Sequence, residues 1–217
     1  MIINFIRHGM TEGNKSKKYI GITDEVLCDE GIHELKKIKY PDCSILVSSP
    51  MKRCKQTAEI IYPGKNYRIC EEFRECSFGI FEGKNYTELS DTPEYQKWIE
   101  SNGKDRFPGG DDPFEFRRRC TEGFIKLIDS CQDDEVISLV VHGGVIMSVM
   151  ETLAFPGKDF YEWHVSNGHG YVSRFYKGKF ADKNIFKAFY YIFLMKSVGV
   201  IAGISRFSKS FIFLVTT

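Results

Sequence analysis

Apolar residues along this 217-residue chain fall into two patterns. Short unbroken runs, Ile2 to Ile6, Ser44 to Val47 and Val136 to Val141, have the length and β-branched content of strands buried on both faces. Between them, apolar positions recur at three- and four-residue steps and predict helices over Gly31 to Ile38, Met51 to Ile61 and Pro113 to Gln132. In the long one Phe116, Cys120, Phe124, Leu127, Ile128 and Cys131 share a face, and Arg117, Arg118 and Arg119 wrap the others. A further helix is expected from Gly144 to Leu153 and a closing strand from Tyr171 to Tyr176. Strands alternating with helices predict an α/β fold, a three-layer α/β/α sandwich with a mainly parallel central sheet.

In open sheets of that kind, chemistry gathers beyond the carboxyl ends of the strands. His8 follows the first strand and His142 follows Val136 to Val141, each with glycine after it (Gly9; Gly143 and Gly144). Glycine allows a sharp turn and a close approach to a ligand. The run Ser44 to Val47 leads into Ser48-Ser49-Pro50-Met51-Lys52-Arg53, where a helix opens with Arg53 in its first turn. Two imidazoles with Arg7 and Arg53 would form a cationic pocket of planar forks suited to a phosphate ester. A neutral imidazole is also a competent nucleophile.

Composition narrows the setting. The formal charge of +1 argues against nucleic acid as partner, and seven scattered cysteines without a C-x-x-C pair fit reduced thiols better than disulfides or a zinc site. No signal peptide is read at the N-terminus, so a cytoplasmic location is expected.

The motifs Arg7-His8-Gly9-x-Thr11-Glu12-x-Asn14, Ser48-Ser49-Pro50-x-x-Arg53-x-x-Gln56-Thr57-Ala58, Arg74-Glu75-x-x-Phe78-Gly79-x-Phe81-Glu82-Gly83 and Val141-His142-Gly143-Gly144 resemble, in order, those of the histidine phosphatase superfamily, branch 1, the phosphoglycerate mutase-like group. The resemblance covers about residues 1 to 176. It implies that His8 becomes phosphohistidine, that Arg7, Arg53 and His142 hold the equatorial oxygens, and that Glu75 is the acid and base. It also implies substrate contacts at Asn14 and around Ile20 and Gly21, with Gly143 beside the second histidine. A free glutamate titrates at about 4.3, so to hold a proton at neutral pH Glu75 would need its value raised by burial or by arriving substrate charge; the cationic neighbours push the other way, which makes arriving phosphate the expected cause. No metal or other cofactor is implied, because guanidiniums and imidazoles supply the positive charge.

Mutases of this superfamily carry extra chain before the second histidine, whereas 66 residues separate Glu75 from His142 here. Hydrolysis of a small phosphomonoester is therefore favoured, and the short form is similar to alpha-ribazole phosphatases and broad-specificity phosphatases. The alternatives are a catalytically silent phospho-ligand or protein-binding member, and a phosphoglycerate mutase. His164 and His169 stay outside the catalytic set, open between lining the pocket and bonding to backbone.

The reading divides the chain into a phosphatase domain, 1–180, and an extension, 181–217. Between Ile185 and Ile204, 15 of 20 residues are apolar, interrupted by Lys187 and Lys196. A docked or disordered extension is the expectation, with a membrane span, membrane-surface contact or subunit pairing as alternatives. The sequence leaves the oligomeric state open.

Overall fold

The computed structural model describes residues 1–182 and 185–198. Among these residues, seven strands form one sheet: β1 (Ile2–Arg7), β2 (Ile45–Ser48), β3 (Arg68–Ile69), β4 (Val136–Val141), β5 (Ala154–Phe155), β6 (Gly170–Asp182) and β7 (Ile185–Val198). Their order is β3-β2-β4-β1-β6-β7-β5. The pairs β3 with β2, β2 with β4, and β4 with β1 are parallel, and β6 runs antiparallel to β1. The mainly parallel α/β architecture expected from the pattern is thus present. Among the described residues, seven α-helices accompany the sheet: α1 (Glu12–Lys15), α2 (Asp29–Lys37), α3 (Lys52–Ile61), α4 (Tyr86–Leu89), α5 (Pro93–Glu100), α6 (Pro113–Asp129) and α7 (Gly143–Leu153).

Alternation along the strands sorts their side chains between two cores. Ile3 and Phe5 of β1, with Ile137, Leu139 and Val141 of β4, face the layer of α6 and α7. Ile6 and Val140 face the other way, against Cys54 and Ala58 of α3. Phe124 of α6 packs between Phe5 and Phe175, with ring centroids 5.6 and 5.5 Å away. Asp112 caps α6 by accepting from the Phe114 and Glu115 amides, and Pro113 takes the first helical position, where its missing N–H costs nothing. The helix ends at Asp129, three residues short of the expected end.

The closing strand runs beyond Tyr176 to Asp182, across the expected domain boundary at 180. Ile185–Val198 then forms β7, antiparallel to β6, within the segment read as an extension. Its aromatic and β-branched residues suit a strand. Residues 199–217, the rest of the expected extension, lie outside the described residues. Among the described residues, no helix is long and apolar enough to cross a membrane.

Candidate active site

Three adjacent strand ends build the floor of the site. Arg7, Ser48 and Val141 are the last residues of β1, β2 and β4. The His8 amide donates to the Val141 carbonyl at 2.9 Å and the Ser49 amide to Val140 at 3.0 Å, so His8, Ser49 and His142 leave the sheet together. The two histidine rings meet edge to face, with centroids 5.2 Å apart and planes at 66°.

Hydrogen bonding assigns a proton to each ring. His8 Nδ1 lies 2.7 Å from the Gly9 carbonyl oxygen, which can only accept, so Nδ1 carries the proton and Nε2 keeps its lone pair. Arg53 Nε donates to His142 Nδ1 at 3.3 Å, which leaves the His142 proton on Nε2, 2.8 Å from Ser49 Oγ. Burial first, then the nearby Arg53 guanidinium, holds both rings well below the usual imidazole range, so both are neutral at pH 7.

Arg53 is fully buried in the first turn of α3. Its Nη1 and Nη2 donate to the Thr23 and Gly21 carbonyls, each at 2.8 Å. Glu82 secures that loop from the other side, accepting from the Gly21 and Thr23 amides at 2.7 and 2.8 Å. Glu82 is thus a strut behind Arg53. Gly21 must be glycine, because a Cβ there would run into the Cys76 carbonyl.

Glu75 is buried beside His142, with Oε2 4.0 Å from Nδ1. Its Oε1 accepts from the Cys76 amide at 3.0 Å, and the Gly144 amide at the start of α7 also bonds the carboxylate. Burial pushes the Glu75 carboxyl above the ordinary glutamate range and outweighs the opposing amides and the Arg53 and Arg7 guanidiniums. The sequence suggested the reverse balance. It contains the cations but not the enclosure that removes water from the carboxylate.

A cavity of about 300 Å³ opens beside this cluster. Arg7, Glu75, Asn14, Ile20 and Gly143 line it, whereas His8, His142 and Arg53 are buried and are not among the lining residues. Arg7 Nη1 donates to the Val165 carbonyl at 2.8 Å, and its Nε is buried without a partner. Asn14 Oδ1 accepts from Thr11 N and from Asn167 Nδ2. Among the described residues, no group of three or more His, Cys, Asp or Glu is arranged to hold a metal ion.

Compared with known proteins, the chain matches the family model of the histidine phosphatase superfamily, branch 1, over residues 3–185. The chain belongs to that superfamily. The chain is 25% identical over 172 residues to an adenosylcobalamin/alpha-ribazole phosphatase of Salmonella typhimurium, covering 75% of this chain and 85% of the relative. It is 32% identical over 157 residues to phosphoglycerate mutase-like protein 4 of Arabidopsis thaliana, covering 67% and 68%. A crystal structure of phosphoglycerate mutase from Thermus thermophilus superposes with a TM-score of 0.62 at 28% identity, covering 79% of this chain and 92% of that one. The family acts on small phosphate esters, which fits the cationic part of the cavity lining.

Several residues around the site were not legible in the sequence. Asn167 Nδ2 bonds the carbonyls of His8 and Gly9 at 3.2 and 3.4 Å, clamping the turn that carries His8. His164 lines the cavity with Nε2 3.4 Å from Arg7 Nη1, whereas His169 bonds backbone at Asn167 and is not among the lining residues. Of the three consecutive arginines, Arg118 pairs on the surface with Glu115 and Glu122, and Arg119 holds the Glu72 and Arg74 carbonyls just before Glu75. Arg117 alone of the three lines the cavity. The turn Ser166 to Gly170 offered one signal, its Asn-Gly pair, but nothing in the sequence said that it folds back onto β1.

Proposed function

We propose that this histidine phosphatase is a phosphomonoesterase acting through a phosphohistidine on His8. One observation carries the reading: the Gly9 carbonyl holds the His8 proton on Nδ1, so a neutral ring offers the Nε2 lone pair. In the first step Nε2 attacks phosphorus and the ester P–O bond breaks. Protonated Glu75 gives its proton to the departing oxygen, a role that its buried, upward-shifted carboxyl supports. Arg7 and the amide of Gly143 at the α7 N-terminus meet the charge growing on the equatorial oxygens, with Arg53 and His142 close by. In the second step the Glu75 carboxylate takes a proton from water, the oxygen attacks phosphorus, and the P–N bond breaks. Inorganic phosphate leaves and His8 returns neutral.

The finer proposal is alpha-ribazole 5′-phosphate as substrate, supported by the likeness to the Salmonella phosphatase. Mutase action is disfavoured by the short span between Glu75 and His142, 66 residues, and by the aromatic part of the cavity lining, which suits a small acid poorly. The test is phosphate release, in the presence of chelator, from p-nitrophenyl phosphate, alpha-ribazole 5′-phosphate and 3-phosphoglycerate. Release by wild type and its loss in His8→Ala are expected. Conversion of 3-phosphoglycerate to 2-phosphoglycerate without free phosphate would reassign the protein as a mutase, and no release from any ester would leave a binding module.

A further inference from the structure

The cavity is mixed in character. Arg7, Asn14 and Glu75 make part of its lining polar, whereas Tyr19, Phe78, Trp98, Phe107 and Phe160 make much of the rest aromatic, with Lys18 also on the lining. On one side Trp98 stacks on Phe107 with centroids 5.1 Å apart and planes at 29°. On the other, α6 supplies Arg117, whose Cζ lies 3.9 Å from the centroid of Phe160. Arg117 Nη1 also bonds both carboxylate oxygens of Glu151, at 3.2 and 3.1 Å.

Those contacts decide what Arg117 is suited to recognise. Its charge is met by Glu151, so it would attract a distal anion only weakly. Its guanidinium plane, however, is fixed between an ion pair and an aromatic face, and a planar, weakly hydrated cation stacks well on π systems. A sugar acid or an amino acid would present no such face and would leave the aromatic walls against a hydrated polar group.

Resting on the phosphatase reading, we infer that the substrate's leaving group carries a flat aromatic ring, a nucleoside base or an aryl group, seated against the Phe160–Arg117 wall, and that Arg117 is a specificity-determining residue. Because this wall is remote from phosphorus, it acts on binding and its loss is expressed mainly in KM.

The experiment compares kcat/KM for adenosine 5′-monophosphate, phenyl phosphate and glycerol 2-phosphate in wild type, Arg117→Met and Arg117→Lys, with thermal melting to confirm folding. At least one aromatic ester should exceed glycerol 2-phosphate by tenfold or more, and which one does so distinguishes base from aryl ring. Arg117→Met should reduce that preference roughly tenfold, chiefly through KM. Arg117→Lys, which can keep the Glu151 pair but has no plane, should lose it similarly. Equal handling of all three esters by wild type, or full preference retained in Arg117→Lys, would overturn the inference and leave the phosphatase reading standing. Failure to release phosphate from any ester would overturn both.

Discussion

Arg53 Nε lies 3.3 Å from His142 Nδ1, and because a guanidinium only donates, this single contact fixes which nitrogen of the ring holds its proton. The other two nitrogens of Arg53 support the loop carbonyls at Gly21 and Thr23. One buried side chain therefore sets both the tautomer of His142 and the position of a cavity-lining segment. Arg53→Ala should lower kcat by about 10²–10³-fold. Arg53→Lys should recover little, because one ammonium cannot reproduce three directed contacts. Steady-state kinetics with p-nitrophenyl phosphate checks both.

Glu75 should matter in proportion to how much help the leaving group needs. Glu75→Gln is expected to slow an alkyl phosphate by about 10²–10⁴-fold. In the chemical step to phosphohistidine, p-nitrophenyl phosphate should suffer much less, since nitrophenolate departs without a proton. The pH dependence follows in sign. The required acid is lost as pH rises through the raised Glu75 value, above the ordinary 4.5, so alkyl ester turnover should decline on the alkaline side before that of p-nitrophenyl phosphate. The acid limb belongs to His8 and should fall well below 6.5, because burial and Arg53 keep its ring neutral.

Stability should also respond to pH through the two histidines. Both are depressed below 6.5 in the folded state, so the unfolded chain binds more protons as pH falls below that value, and stability drops. The slope is at most about 1.4 kcal/mol per histidine per pH unit. Glu75, raised in the folded state, works in the opposite sense between its ordinary value of 4.5 and its raised one, and offsets part of the loss. Denaturant midpoints from pH 7 to pH 5 should fall, and fall less in a His8→Gln, His142→Gln double variant.

Gly144 is a third test of Glu75. A Cβ at this position would sit 2.6 Å from Glu75 Oε1. Gly144→Ala should leave the helix formed, since alanine favours helices, yet displace the carboxylate and reduce kcat for an alkyl ester by tenfold or more, an effect of misplacement rather than of unfolding. Far-ultraviolet circular dichroism alongside kinetics separates the two causes.

Much of the molecule was legible in its pattern. The runs around Phe5, Leu46 and Leu139 became adjacent parallel strands because continuous apolar sequence suits burial on both faces. The motif residues His8, Arg53, Glu75 and His142 lie beside one another in the fold. The segment from Lys84 to Phe107 was opaque, because α4 and α5 are short and owe their place to tertiary packing of Tyr95 and Trp98 rather than to a long periodic stripe. Asn167 was opaque for another reason: its partners, His8 and Gly9, lie 159 and 158 positions away in the chain. The protonation of Glu75 depends on enclosure, which composition does not encode.

The most direct test of the central claim is single-turnover alkaline-quench mass spectrometry, run without acidification, on Glu75→Gln with p-nitrophenyl phosphate. This substrate needs no proton donor in the first step, while loss of Glu75 slows attack by water in the second, so phosphoenzyme should accumulate. The account predicts an acid-labile phosphoryl group on His8, absent when His8→Ala is added. A phosphoryl group on any other side chain, or steady turnover by the His8→Ala protein, would contradict it.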